Sequence, residues 1–340
     1  MESASSITIL AIESSCDETS AAIVRNGKVF SNTIATQKVH ERYGGVVPEL
    51  ASRAHMQNIV PVVDTAIKDA GINMDDITAV AFTLSPGLIG SLLVGVCFAK
   101  AFAQARQLPL IAVHHMQAHV LAHFIDSSPQ FPFLCLTVSG GHTQVVLCRD
   151  HLDMEVLGET IDDAAGEAFD KVAKMLGLPY PGGPLVDKYA ADGDPLRFKF
   201  PMSEMKDYQF SFSGIKTAVL YFLQAQKKVD PDFVAKNLND ICASVQYTII
   251  NMLVTKLKKA ARELNITHIG IAGGVSANSG LRKAMQEAGE EYGWQVYIPR
   301  FEYCTDNAAM IGVAGYYKYL KGAFTDLSSS PSARATWHTD

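Results

Sequence analysis

Apolar and polar positions alternate along the chain in two cycles. Ile7 to Ile12 and Ser20 to Val24 are apolar runs of strand length on either side of the polar turn Glu13-Ser14-Ser15-Cys16-Asp17-Glu18. Asn26-Gly27 is a hairpin signal and predicts Val29 to Ile34 as the next strand. From Glu49 to Ala70 the apolar positions recur at helical spacing, and Gly71 closes that helix. Ile77 to Thr83 reads as a strand, Ser85-Pro86-Gly87 as a turn, Leu88 to Gln104 as a helix of small residues, and Leu110 to Val113 as a strand leading into a helix over His114 to His123.

The second cycle opens with Phe133 to Ser139 as an apolar strand. Gly140-Gly141-His142-Thr143 is a tight turn, Gln144 to Cys148 the returning strand, and Met154 to Thr160 a third. Helices are predicted over Ala164 to Leu176, Ser213 to Gln226 and Asp232 to Leu264, while Pro181-Gly182-Gly183-Pro184 reads as a rigid loop. Thr267 to Ala272 is a buried strand before Gly273-Gly274, followed by a helix from Asn278 to Tyr292, a strand from Gln295 to Ile298 and a helix from Thr305 to Leu320. Ser328 to Asp340 has no apolar period and is expected to fray. Strand-turn-strand-strand-helix-strand-helix therefore occurs twice. It predicts a duplicated α/β fold with two lobes, central mixed sheets and an inter-lobe cleft. Residues 1–125 with 307–340 would form the first lobe, and 126–306 the second, with a helical insertion over about 161–265.

At 340 residues the chain exceeds a single core, and its 48% hydrophobic and 19% charged residues are ordinary for a globular protein. Met1 to Ser6 is short and polar, unlike a signal peptide, and the Gly- and Ala-rich run from Leu88 to Phe102 carries Lys100, so a buried helix is expected rather than a membrane span. Six scattered cysteines without a C-x-x-C pair argue against a disulfide framework or a cysteine zinc site and fit a reducing cytoplasm. A net charge of −6 does not advertise a nucleic-acid binder, although a local stripe would suffice. The densest basic run, Lys256, Lys258, Lys259 and Arg262, is weighed as a solvated helix face.

Four of the ten histidines lie between His114 and His123. On a helix, His115, His119 and His123 share a face, and two imidazoles one turn apart grip a divalent cation; a polar face with hydrogen-bonded core histidines is the alternative. Asp306, at the start of the last helix, is either a cap or first-turn acid or a third ligand that leaves an open coordination position. Ser139-Gly140-Gly141-His142-Thr143 presents consecutive N–H groups that cradle phosphate or carboxylate oxygens, unless it is a plain hairpin. Gly273-Gly274-Val275-Ser276-Ala277-Asn278 joins a strand to a helix, where backbone approaches a ring or ribose closely. Neither G-x-G-x-x-G nor a P-loop is present. Met116 follows His115 and no H-E-x-x-H occurs, which argues against a metallopeptidase.

Taken together these segments resemble the bacterial tRNA adenosine threonylcarbamoyltransferases over Ile9 to about Tyr317. The matches are Ala11-Ile12-Glu13-Ser14-Ser15-Cys16-Asp17-Glu18-Thr19, Tyr43-Gly44-Gly45-Val46-Val47-Pro48-Glu49, Pro86-Gly87-Leu88 and Val138-Ser139-Gly140-Gly141-His142-Thr143-Gln144. Further along they are Asp162-Asp163-Ala164-Ala165-Gly166-Glu167-Ala168-Phe169-Asp170-Lys171, Tyr180-Pro181-Gly182-Gly183-Pro184, Phe210-Ser211-Phe212-Ser213-Gly214, Gly273 to Asn278, and Cys304-Thr305-Asp306-Asn307. Several long motifs in order are more specific than any one of them.

The resemblance implies the two-lobed fold shared by actin, heat-shock ATPase chaperones and sugar kinases. It implies transfer of a threonylcarbamoyl group from threonylcarbamoyl-adenylate to N6 of the adenosine just 3′ of the anticodon, with release of AMP. The family's metal ligands match His115, His119 and Asp306, for one divalent ion per subunit, Fe(2+) in preference to Zn(2+). Its substrate contacts match Thr137, Val138, Ser139, Gly140 and Gly141, then Asp170, Gly183, Asp187 and Asn278. No general base is assured; His142 is a candidate, with a structural hydrogen bond as its alternative. Many relatives carry Glu where this chain has Gln117, which puts any charge-based role of that position in doubt. Implied partners are tRNA, a related non-catalytic paralogue and a small P-loop ATPase, with no membrane. The rival readings are an ATPase or kinase of the actin-like class and a non-catalytic scaffold, which would have lost the metal set or the glycine turns that this chain keeps.

Overall fold

The apolar runs fold as two five-stranded sheets. In the computed structural model, which describes residues 6–334, the first elements are β1 (Thr8–Glu13), β2 (Glu18–Arg25), β3 (Lys28–Thr36), α1 (Pro48–Asp69), β4 (Ala79–Ser85), α2 (Ile89–Arg106), β5 (Leu110–His114), α3 (His115–Leu121) and α4 (His123–Asp126). There follow β6 (Phe133–Val138), β7 (Thr143–Cys148), β8 (Met154–Glu159), α5 (Ala165–Met175), α6 (Gly182–Ala190), α7 (Ser213–Val229), α8 (Phe233–Lys236) and α9 (Leu238–Leu264). The chain ends with β9 (His268–Ala272), α10 (Ser279–Tyr292), β10 (Gln295–Tyr297) and α11 (Ala308–Leu320). It splits into two compact units. Among the described residues the first comprises the chain up to Ser128, Asp150–Asp153 and everything from Arg300 on, and the second comprises Pro129–Arg149 and Met154–Pro299. The return to the first unit thus falls at Arg300 rather than Asn307, so Asp306 belongs with the histidine helix.

In the first unit β1 pairs antiparallel with β2, and β2 with β3; β4 joins β1 in parallel, and β5 joins β4. The order is β3-β2-β1-β4-β5. Asn26 and Gly27 close the hairpin with φ of 50° and 78°, the left-handed backbone that a two-residue turn between twisted strands requires. All six residues of β1 are buried. Leu10 and Ile12 join a cluster with Ile59, Val63 and Val96 of α1 and α2, while Ala11 lies against Gly312 of α11. Covered on both faces, the strand carries no polar alternation. Helix α2 is the one described helix long and apolar enough to cross a membrane; it packs one face on α1 and β4 through Leu92, Val96, Ala99 and Ala103.

The second unit repeats the arrangement strand for strand. β6 pairs antiparallel with β7, β7 with β8, and β9 and β10 add in parallel on the other side, in the order β10-β9-β6-β7-β8. The long helical excursion α5–α9 lies between β8 and β9, where the first unit has α1.

Several elements differ from the sequence reading. The Pro-Gly-Gly-Pro segment is the start of α6, not a loop: Pro184 sits in the first turn, where a helix needs no N–H from it, and Asp170 Oδ1 accepts from Gly182 N and Gly183 N at 2.8 and 3.0 Å. The helix expected over Asp232 to Leu264 is interrupted at Asn237. The histidine helix breaks at Ala122, where the chain tightens as Ile125 N donates to Ala122 O, so His123 lies in α4. The expected fraying from Ser328 is corrected for the described part of the tail. Lys100 Nζ donates to Leu327 O at 2.9 Å and to Ser329 O, and Ser332 N donates to Leu84 O. The rest of that expectation, and most of Met1 to Ser6, lie outside the described residues.

Candidate functional site

The parallel strands β1, β4 and β5 end side by side, and the chemistry collects at their carboxyl ends, where open α/β sheets place ligands. β1 ends in Glu13, which is fully buried. Its Oε1 accepts from Ser15 N; its Oε2 accepts from Thr83 Oγ1 on β4 and lies 3.0 Å from His115 Nδ1. The Pro86-Gly87-Leu88 turn seats this loop: Leu88 N donates to Ser15 O at 2.8 Å, and a Cβ on Gly87 would stand 2.5 Å from the same oxygen. Because Glu13 accepts at Nδ1, the Nε2 of His115 is left to face outward.

One turn on, His119 Nε2 converges with it. Both Nε2 atoms stand 3.3 Å from Asp306 Oδ1, the imidazole centroids are 4.7 Å apart at 87°, and the three candidate ligand atoms lie within 4.8 Å of one another. Asp306 is available because Asn307 takes the capping role: its side chain accepts from Met310 N at 3.1 Å, while Ser20 Oγ and Asn32 Oδ1 accept from Ala308 N and Ala309 N. The cap alternative for Asp306 falls to its neighbour. His114 is buried at the end of β5, and His123 is outside the trio.

Burial pushes the Asp306 and Glu13 carboxyls up, but the adjoining His115 outweighs it and holds both below the usual carboxylate range. For His115, burial acts to lower the pKa, and Asp306 with Glu13 reverses that, holding it well above the ordinary imidazole value. His119 is held below that value by burial despite its bond to Asp306, with His115 adding to the effect. His119 Nδ1 is buried without a partner among the described residues. The surplus of negative charge reaches Glu18, whose carboxyl is pushed up to about 9 by burial, Asp306 and Asp17. Two imidazole nitrogens and a carboxylate, backed by a second buried carboxylate, are a donor set that fits a divalent cation with a coordination position open. Gln117 is half-buried on α3 and is not one of the three candidate ligands.

In the second unit, Thr137 and Val138 end β6, and Thr137 Oγ1 is buried without a partner among the described residues. Ser139 N donates to His142 O at 2.8 Å and His142 N to Ser139 Oγ at 3.0 Å, so His142 closes the turn through its backbone. A Cβ on Gly140 or Gly141 would meet nothing within 4 Å, whereas one on Gly166 of α5 would stand 2.6 Å from Ser139 O. The turn is braced from behind and open in front.

The remaining expected contacts are tied to one another. Asp170, whose carboxyl is pushed up by burial, holds Gly182 and Gly183. Both oxygens of Asp187 accept from Ser279, at its N (2.9 Å) and its Oγ (2.7 Å). Asn278 caps α10 by accepting from Leu281 N, and donates to Gln246 Oε1 at 2.6 Å. Sequence reasoning missed Glu13, Thr83 and Gln246 as parts of these sites. For Glu13 there was a signal, an acid interrupting an apolar strand; for the other two there was none.

A model of the tRNA N6-adenosine threonylcarbamoyltransferase family matches residues 28–313. The chain is 63% identical to the enzyme of that name from Christiangramia forsetii, over 96% of this chain and 98% of the relative. It is 61% identical to the one from Cytophaga hutchinsonii, over 97% and 96%. Among solved structures, component A of (R)-2-hydroxyglutaryl-CoA dehydratase from Acidaminococcus fermentans superposes with a TM-score of 0.54 at 14% identity, covering 92% of this chain and 99% of that one, a likeness of fold alone. The fold is a duplicated α/β architecture, and the chain belongs to the tRNA N6-adenosine threonylcarbamoyltransferase family, enzymes that act on adenosine in tRNA.

Proposed function

We propose that the chain takes threonylcarbamoyl-adenylate as donor and releases AMP, using a divalent cation, Fe(2+) before Zn(2+), held by His115, His119 and Asp306. The observation that carries the metal assignment is the convergence of both Nε2 atoms on Asp306 with Glu13 behind His115. In the reaction, N6 of the adenosine attacks the carbamoyl carbon, the bond from that carbon to the phosphate oxygen breaks, and the N6 proton passes to water. When bound, the ion would orient the threonine hydroxyl and carboxylate and polarise the carbonyl as a Lewis acid. Glu13 fixes the His115 ring so that Nε2 would be free to hold the ion. The open Ser139-Gly140-Gly141 turn offers backbone N–H groups to the adenylate phosphate. Thr137 Oγ1, lacking a partner among the described residues, is left for a ligand atom. Asp170 and Asp187 serve the nucleoside side of the site, and Asn278 places the start of α10 beside the base. A related non-catalytic paralogue and a small P-loop ATPase are proposed as working partners, with tRNA as acceptor, in the cytoplasm.

The test is a transfer assay with the purified chain, its partner proteins, threonylcarbamoyl-adenylate and unmodified tRNA, read by mass spectrometry of the digested tRNA. Modified nucleoside and AMP from wild type, and none from His119→Ala, are expected. Product from both would reduce the metal to a structural part. ADP formation from ATP without tRNA modification, with donor and partners shown to be competent, would favour the kinase-like reading.

A further inference from the structure

The basic run on α9 does not lie on a flat solvated face. Lys258, Lys259 and Arg262 line a pocket of about 540 Å³ together with Tyr292, the last residue of α10, and Trp294, which precedes β10. Cations in the last turns of α9 suit its C-terminal dipole, which accounts for the charge. It does not account for the concavity or for the aromatic pair. Tyr292 and Trp294 stack with centroids 5.4 Å apart at 29°, and Tyr292 remains 48% exposed. Lys258 Nζ stands 4.6 Å over the Tyr292 ring, a cation–π contact that keeps the ammonium on the pocket wall.

Among the described residues no carboxylate lines the pocket. Glu291 pairs with Lys258 at 3.2 Å and Glu263 stands 4.0 Å from Lys259, both from outside the lining, and Arg262 has no ion pair among the described residues. A concave site of this size, cationic at its edge and aromatic on its wall, has the make-up of a contact for a single-stranded nucleotide, its phosphate on the cations and its base on the ring. We propose that this pocket takes one phosphate-bearing nucleotide of RNA, its base against Tyr292–Trp294 and its phosphate between Lys259 and Arg262. The proposal rests on tRNA being the acceptor and assigns part of its binding surface to α9 and α10. None of the pocket's residues is among those given to the metal or to the donor.

The sequence supplies its own reporter. Its two tryptophans are Trp294 and Trp337, so Trp337→Phe leaves Trp294 alone. The full-length W337F chain is titrated with unmodified tRNA, a short single-stranded RNA and AMP, reading Trp294 emission. Separately, tRNA Kd is measured across salt concentrations for this chain, for Lys259→Gln with Arg262→Gln, and for Lys259→Arg with Arg262→Lys. Quenching by both RNAs but not by equal AMP is expected. The double Gln variant should bind tRNA about tenfold more weakly, with the log–log salt slope reduced by about 2, and the charge-preserving pair should keep the slope. Circular dichroism and unchanged metal affinity show that the variants are folded. No quenching, with Kd and slope unchanged in the Gln variant, overturns the site and leaves the tRNA reading standing. Equal quenching by AMP makes the pocket a free-nucleotide site and overturns the RNA assignment. Failure of the parent chain to bind tRNA at any salt sinks both.

Discussion

Glu13→Gln keeps the side chain's size and removes its charge at a position with no exposure to solvent. The carboxylate accepts from Ser15 N on one oxygen and faces Thr83 Oγ1 and His115 Nδ1 with the other. A glutamine must turn its NH2 towards one of these, so at least one donor meets a donor, at a cost of about 1–3 kcal/mol. The larger effect is on the metal. Without the carboxylate the His115 ring keeps only Ser15 Oγ, at 3.3 Å from Nδ1, to orient it and is no longer made more basic; outer partners of this kind are worth about 10–100-fold in metal affinity, or about 1.4–2.8 kcal/mol. Calorimetric titration with Zn(2+), and anaerobically with Fe(2+), should give a Kd raised by that factor and an unchanged stoichiometry. His119→Ala, which deletes a proposed ligand, should lose more. A folded Glu13→Gln variant with a metal Kd within about twofold of wild type would refute the reasoning.

In the metal-free protein the raised His115 pKa contributes stability that is complete below the unfolded imidazole range and lost as pH rises through the raised value; the lowered Glu13 and Asp306 contribute above the unfolded carboxylate range and lose it as pH falls through their folded values. Metal binding must displace the His115 proton, so affinity should rise with pH, and calorimetry near neutrality in buffers of different ionisation enthalpy should show about one proton released per ion; no release would contradict the assignment. Gly141→Ala meets open space and should leave the melting temperature unchanged while weakening adenylate binding; unaltered binding would remove the turn from the site. Gly273→Ala, by contrast, combines φ of 86° with a Cβ 2.4 Å from Val138 O and should destabilise by more than about 1 kcal/mol in a urea melt. Asp162 accepts from Ser211 Oγ, Ser213 Oγ, Phe212 N and Ser213 N at the start of α7, so Asp162→Ala should cost about 0.5–2 kcal/mol with metal affinity intact.

Two kinds of information separate in this chain. The strands, most helices, the hairpin at Asn26-Gly27 and the doubling of one topological unit were legible in the sequence, because period, turn chemistry and repeat order are local properties. The His115/His119 pair was equally legible, being set by one helical turn, and the order of the motifs identified the family. Local reading failed where distant groups decide the outcome. α6 looked like a loop because its start is all Gly and Pro, and what stabilises it is Asp170, 12 residues earlier. Local sequence left Asp306 as either a cap or a ligand; the structure gives the cap to Asn307, and Asp306 meets His119 across 187 residues. Glu13 reaches His115 across 102, and Asp187 reaches Ser279 across 92. The basic run was read as a solvated face, and only the packing of α9 beside Tyr292 and Trp294 makes Lys258, Lys259 and Arg262 of that run a pocket wall. The chain's own periodicity determined which elements form; which side chains share a charge or a proton was decided by tertiary structure, because those energies depend on distance and burial in space.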